Sequence, residues 1–120
     1  MILLSMIFCH IVDDYYLQGW LARAKQKKYW RTLPDYFEKY KFDYIVALIM
    51  HAFSWTFMIM LPIAKSLNFQ LTFTFYVCFV INFIIHAIVD DQKANRYRIN
   101  LVQDQAIHIL QILITFLIFF

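Results

Sequence analysis

Tyr44-Ile-Val-Ala-Leu-Ile-Met-His-Ala-Phe-Ser-Trp-Thr-Phe-Met-Ile-Met-Leu-Pro-Ile-Ala64 is an apolar run with one histidine and no charged residue. After a gap of four residues a second run of the same length, Phe69 to Val89, is again free of charge and again carries one histidine, His86. At about 1.5 Å per residue, either run as a helix covers about 30 Å, the thickness of the hydrocarbon layer of a bilayer. Both therefore predict full transmembrane helices. Outward from them the pattern weakens. Met1 to Val12 is too short to cross unless the helix continues through Asp13 and Asp14 to about Gln18, and Ile99 to Phe120 crosses only with Asp104 inside it. The expectation is an all-α, integral membrane bundle of about four helices, approximately 1–18, 44–64, 69–91 and 99–120, in which the outer two carry acids.

Composition supports lipid as the solvent. Of the 120 residues 62% are hydrophobic and 20% aromatic, with one glycine, which leaves a soluble domain of this size too little polar surface. A removable leader is not expected at the start: no Lys or Arg precedes the first apolar run, no small-x-small site follows it, and the Asp13–Asp14 pair interrupts its exit. Cys9 and Cys78 both sit in apolar stretches and predict packing residues, with neither a disulfide framework nor a thiolate metal site. No internal repeat or low-complexity tract divides the chain, so residues 1–120 are read as a single domain.

Orientation follows from the connections. Arg23, Lys25, Lys27, Lys28, Arg31, Lys39 and Lys41 lie between the first two helices, and Lys93, Arg96 and Arg98 between the last two, whereas the remaining loop has only Lys65. The positive-inside rule places both basic connections in the cytoplasm and both termini on the opposite side of the cell membrane. The net charge of +3 is thus an orientation signal, and no nucleic-acid partner is expected. Trp20, Tyr29, Trp30, Tyr36, Phe37, Tyr40 and Phe42 are interleaved with the cations of the first connection, a mixture suited to the headgroup level, so an interfacial helix is expected from about Pro34 and Asp35. Membrane lipid is the expected partner. A homo-oligomer or a membrane-protein partner suits so small a core, although Gly19 is the only glycine and no GxxxG motif exists.

The chemistry lies in the histidines. Three of the four have an Asp four residues away: His10 with Asp14, His86 with Asp90, and His108 with Asp104. Seven Asp scattered through 120 residues would rarely produce this, and a four-residue spacing puts both members of a pair on one helix face. The stripes continue as His10–Asp14–Gln18, Asn82–His86–Asp90–Lys93 and Asp104–His108–Gln111–Thr115, with His51 beside Ser54 on the second helix. Because the helices alternate in direction, all four histidines reach a similar depth near the side of the basic connections. Uncompensated carboxylates within a membrane cost about 2.5–3.5 kcal/mol each on insertion scales, so something positive must offset them. Neutral imidazoles and carboxylates together suit a divalent metal, and seven donors exceed the needs of one tetrahedral ion. His10, Asp14, His51, His86, Asp90, Asp104 and His108 are therefore the expected metal ligands, holding Zn, Mn or Fe in a dinuclear centre bridged by an Asp. The competing explanations are a hydrogen-bonded polar core and a proton or ion path. Asp13 and Asp91 are expected to point away from the shared site.

The ordered set His10-x3-Asp14-x3-Gln18, with Trp20 and Lys25 trailing, then His51, His86-x3-Asp90-x2-Lys93 and Asp104-x3-His108, resembles domain of unknown function 3307, small membrane proteins of bacteria and their phages. The resemblance covers nearly the whole chain. Tyr15 to Leu17 stand where such proteins usually have a Phe-Leu pair. No reaction is established for that family, so the resemblance implies the membrane topology and the importance of these positions. Two functions of different class remain. One is a membrane-embedded metal-dependent hydrolase acting on a lipid or headgroup ester at the cytoplasmic leaflet, with Asp14, Asp90 and Lys93 as catalytic candidates. The other is a non-catalytic module in which the polar centre is structural, conducts ions or docks a partner.

Overall fold

A computed structural model describes residues 1–120, and they form helices and turns without a strand. Helix α1 (Ile2–Val12) runs into a π-helical turn over Asp13–Leu17. Two single-turn helices, α2 (Leu21–Ala24) and α3 (Lys27–Arg31), and a second π-helical turn (Tyr36–Tyr40) lead to α4 (Asp43–Ser66), α5 (Phe73–Ala94) and α6 (Leu101–Phe119). The chain is a membrane protein by its helices: α4, α5 and α6 are long and apolar enough to cross a bilayer, and only 28–44% of the most apolar window of each is buried within the chain. Rows such as Val80, Ile81, Ile84 and Ile88 on α5 are left facing outward, an apolar surface that lipid would cover. Helix α1 and its π-helical continuation are shorter, and the aromatic-rich stretch after Pro34 forms one helical turn.

The helix limits have local causes. Thr72 Oγ1 accepts from the Phe75 N–H and starts α5 at Phe73, four residues later than the hydrophobic pattern predicts. Before it, Asn68 and Phe69 take left-handed backbone conformations that end the preceding turn. Asn100 and Gln103 form a reciprocal capping box, which fixes the start of α6 at Leu101. Helix α5 runs past Asp90 to Ala94 because that carboxylate finds partners inside the bundle.

Helix α1 and α5 pack against α4, and α6 closes the bundle between α5 and α1. One apolar cluster, built on Met6, Trp55, Ile59, Met60, Ile63, Phe75, Cys78 and Ile112, fills the end near the short 67–72 connection. A smaller one, Ala24, Trp30 and Ala47 with surrounding tyrosines, lies under the first basic connection. Both cysteines are free thiols. Along α4, Ala47 belongs to the small cluster and Trp55 to the large one, with His51 between them. The polar layer therefore lies between the two apolar clusters. The two basic connections are tied to each other at that end: the Lys27 N–H donates to Asn95 Oδ1 at 2.7 Å, and Asn95 Nδ2 donates to the Lys25 carbonyl at 3.0 Å.

Candidate metal centre

Every predicted ligand is drawn into one buried layer. Asp14 comes from the π-helical turn after α1, His51 from α4, His86 and Asp90 from α5, and Asp104 and His108 from α6. Their donors meet at short range. His51 Nε2 lies 3.2 Å from His86 Nε2, 3.3 Å from Asp14 Oδ1 and 3.3 Å from Asp90 Oδ2. His108 Nε2 lies 3.5 Å from Asp90 Oδ1 and 3.5 Å from Asp104 Oδ1. Neighbouring donors around a tetrahedral ion with bonds of about 2.0–2.1 Å stand about 3.3 Å apart, so these spacings suit coordination. Two triads, Asp14–His51–His86 and His86–Asp90–His108, each bring their donor atoms within 4.8 Å of one another and could hold a metal ion. His86 is common to both. The Asp90 carboxylate spans the two halves, with Oδ2 toward His51 and Oδ1 toward His108.

The π-helical turn explains why two consecutive acids both face inward. The Gln18 N–H reaches back five residues to the Asp13 carbonyl, 3.0 Å away, and this wider turn re-aims the side chains it contains. Asp13, expected to point elsewhere, is 1% exposed; its Oδ1 accepts from Ser54 Oγ at 2.5 Å and its Oδ2 stands 3.7 Å from His51 Nδ1. Asp91 does point away, pairing with Arg96 Nε at 2.9 Å at the end of α5.

His10 occupies a different place from the other three histidines. Trp55 Nε1–H donates to His10 Nδ1 at 2.7 Å, and since an indole nitrogen only donates, the neutral ring carries its proton on Nε2. That Nε2–H donates to Gln105 Oε1 at 3.1 Å. The carboxamide nitrogen of Gln105 then donates to Asp14 Oδ2 at 3.2 Å and to Asp104 Oδ2 at 3.1 Å. One glutamine thus holds the outer oxygen of a carboxylate in each half. The inner oxygens, Asp14 Oδ1 and Asp104 Oδ1, are buried without a hydrogen-bond partner and face His51 and His108.

His108 is oriented by the same logic. Gln111 Nε2 donates to Asn82 Oδ1 at 3.2 Å, so its Oε1 takes the Nδ1–H of His108 at 3.1 Å. In the neutral ring Nε2 is then a lone pair, and it confronts two acceptor-only carboxylate oxygens across 3.5 Å with no hydrogen bond. Acceptors turned toward one another in a buried layer are satisfied by a cation between them or by a second proton on the ring, which would turn Nε2 into a donor. The rings cannot rotate away: His86 stacks on Trp55 on one side and on His108 on the other, each at 4.2 Å between centroids.

Two ammonium groups stand at the edge. Lys25 Nζ is 2.5 Å from Asp90 Oδ2, and Lys93 Nζ is 2.6 Å from Asp104 Oδ2. Neither protein-family models, curated proteins nor solved structures gave a match to this chain. The side-chain arrangement alone thus carries the functional argument. Gln105, Trp55 and Asp13 were not singled out by sequence as parts of this site, and Lys25 entered only through the family resemblance. Lys25 is one cation among seven in its connection, and Gln105 neighbours Asp104 with no periodic signal of its own. Trp55, four residues after His51, is the one of these with a readable spacing.

Proposed function

We propose that this protein is a membrane-embedded, metal-dependent hydrolase acting on an ester at the cytoplasmic leaflet. The observation that carries this reading is the set of inward-facing acceptors, Asp14 Oδ1, Asp104 Oδ1 and His108 Nε2, all buried and all without a hydrogen-bond partner. Each such group left unsatisfied costs about 1–3 kcal/mol, and divalent ions would satisfy them together. The proposed ligands are Asp14, His51 and His86 for one ion and Asp90, Asp104 and His108 for the other, with Asp90 bridging and Zn, Mn or Fe as the metal. Such ions lower the pKa of a bound water toward about 7 and polarise an ester oxygen. Around them the chain supplies Gln105, which fixes the two outer carboxylates, and Lys25 and Lys93, which offer positive charge beside the reacting group. With α1 and its π-helical turn as a fourth crossing segment, the basic connections and the cavity lie in the cytoplasm by their charge, and Tyr36–Tyr40 rests at the headgroup level.

Access supports an enzyme. A cavity of about 330 Å³ reaches the cluster between α1, α2, α5 and the start of α6, lined by Asp14, Asp90, Lys25, Lys93, Gln105 and Tyr97 among others. A structural metal site would be closed on all sides. The alternative, a non-catalytic polar core, draws on the same two ammonium groups, because Lys25 and Lys93 already neutralise part of the buried acid.

Plasma mass spectrometry of the detergent-purified protein should find about two equivalents of a transition metal, and chelation should abolish hydrolysis of a lipid or headgroup ester. Absence of stoichiometric metal even after reconstitution would leave the polar-core alternative. Gln105→Leu should keep the fold and weaken metal affinity by about 10- to 100-fold, the usual effect of losing a group that orients ligands. Chelator competition measures it, and wild-type affinity in the variant would show that Gln105 does not organise the site.

A further inference from the structure

The charge around the centre selects the ester. Asp13, Asp14, Asp90 and Asp104 are four carboxylates whose side chains are no more than 8% exposed. They face two ammonium groups, Lys25 and Lys93. Asp91 and Arg96 neutralise each other at the edge of the layer and do not alter the balance. With neutral imidazoles the layer carries two excess negative charges. One divalent ion would cancel them, whereas the two ions proposed above reverse the sign and leave two excess positive charges. Buried charge of that size needs a counter-charge. The hydroxide formed from a metal-bound water would supply part of it, a neutral carboxylic ester none, and an anionic substrate the rest.

The cavity is built to receive one. Lys25 and Lys93 both line it, and both stand beside carboxylates of the proposed metal centre. An ammonium has three N–H donors, and each lysine uses one of them on an Asp. The remaining donors are available at the cavity wall. Asp14 and Asp90, the acids that line the same space, are assigned to the ions and so present little free negative charge to a ligand.

Resting on the metal-dependent reading, we propose that this cavity takes a phosphate group bearing two negative charges, that of a phosphate monoester, against the loaded centre. A monoester has a second pKa of about 6 and is largely dianionic at neutral pH. Lys25 and Lys93 hold its outer oxygens, and the organic part points out through the cavity mouth, past Tyr97 and Leu101.

The test uses the full chain in detergent, Mn²⁺ and phenylphosphonate, an analogue of the monoester dianion whose P–C bond is not hydrolysed. Phenylphosphonate should tighten Mn²⁺ binding about tenfold, since ligand and metal affinities are reciprocally linked, and its singly charged methyl ester should have a much smaller effect. Lys93→Gln should bind Mn²⁺ without the ligand but lose most of the tightening; should that variant not fold, the comparison of phenylphosphonate with its methyl ester on the wild-type chain decides. Two bound ions with no response to phenylphosphonate overturn the phosphate inference and leave the metal centre standing. Absence of Mn²⁺ binding overturns both. Displacement of bound phenylphosphonate by phosphatidylcholine vesicles containing phosphatidic acid, and not by pure phosphatidylcholine, assigns the phosphate to a lipid headgroup. Displacement by soluble phenyl phosphate alone assigns it to a free monoester.

Discussion

Replacing His86 with alanine should strip the protein of nearly all its bound divalent metal, to below about a tenth of the wild-type content. Losing a group that merely orients a ligand already weakens metal affinity by about 10–100-fold; His86 is a proposed ligand of one ion and stacks at 4.2 Å on His108, a proposed ligand of the other. The substitution should therefore affect both ions, whereas removal of His51, which has no such contact with His108, should spare part of the content. His86 also fills the space between Trp55 and His108, so the variant opens a gap in the stacked column. His86→Phe separates the two effects, because it keeps an aromatic ring there and offers no donor nitrogen. Metal analysis of the three variants checks this. Unchanged content in both His86 variants would mean that the cluster is not a metal centre.

Asp90→Asn should cost both metal and stability. The carboxylate of Asp90 reaches the two halves of the site and also holds Lys25 Nζ at 2.5 Å, and the Lys25 side chain is only 10% exposed. An amide removes the bridging charge and leaves that ammonium without its counter-ion. Breaking a buried pair on one side destabilises by about 3–5 kcal/mol, and replacing both members by apolar groups is often neutral. Asp90→Asn should thus unfold at markedly lower detergent-denaturant concentration than wild type. Adding Lys25→Met should recover most of the lost stability and none of the metal. If the double variant regained metal, Asp90 would not be a ligand; if stability did not recover, the Lys25–Asp90 pair would not be what holds the first connection in place.

The parts of this structure that sequence makes visible are those with a period. Twenty-one uncharged apolar residues announce α4, and four-residue His–Asp spacings bring His86 with Asp90 and Asp104 with His108 onto inward faces. What escapes a sequence reading depends on local geometry or on distant chain segments. Asp13 turns inward because of a π-helical turn that no apolar pattern marks, and Lys25 leaves its basic connection because Asn95, 70 residues away, accepts and donates around it. His10 has the same four-residue partner as His86 and His108, yet its ring nitrogens are committed to Trp55 and Gln105. Spacing identifies which residues share a face. It does not distinguish a residue that meets a ligand from one that holds its neighbour.

The π-helical turn at Asp13–Leu17 also constrains how this chain can vary in length. Such a turn accommodates about one residue more than the α-helix it interrupts. Deleting that extra residue would turn the segment into regular α-helix and leave the flanking faces in register, so Met6 and His10 would keep their places in the bundle. Two consecutive residues of a regular helix stand about 100° apart, so Asp13 and Asp14 could not then both face inward as they do here. A deletion elsewhere in the first helix would instead rotate everything before it by about 100° and carry Met6 or His10 out of the bundle. Insertions and deletions can accumulate around Leu33 to Asp35, in the exposed part of the first connection, without moving any donor atom of the site.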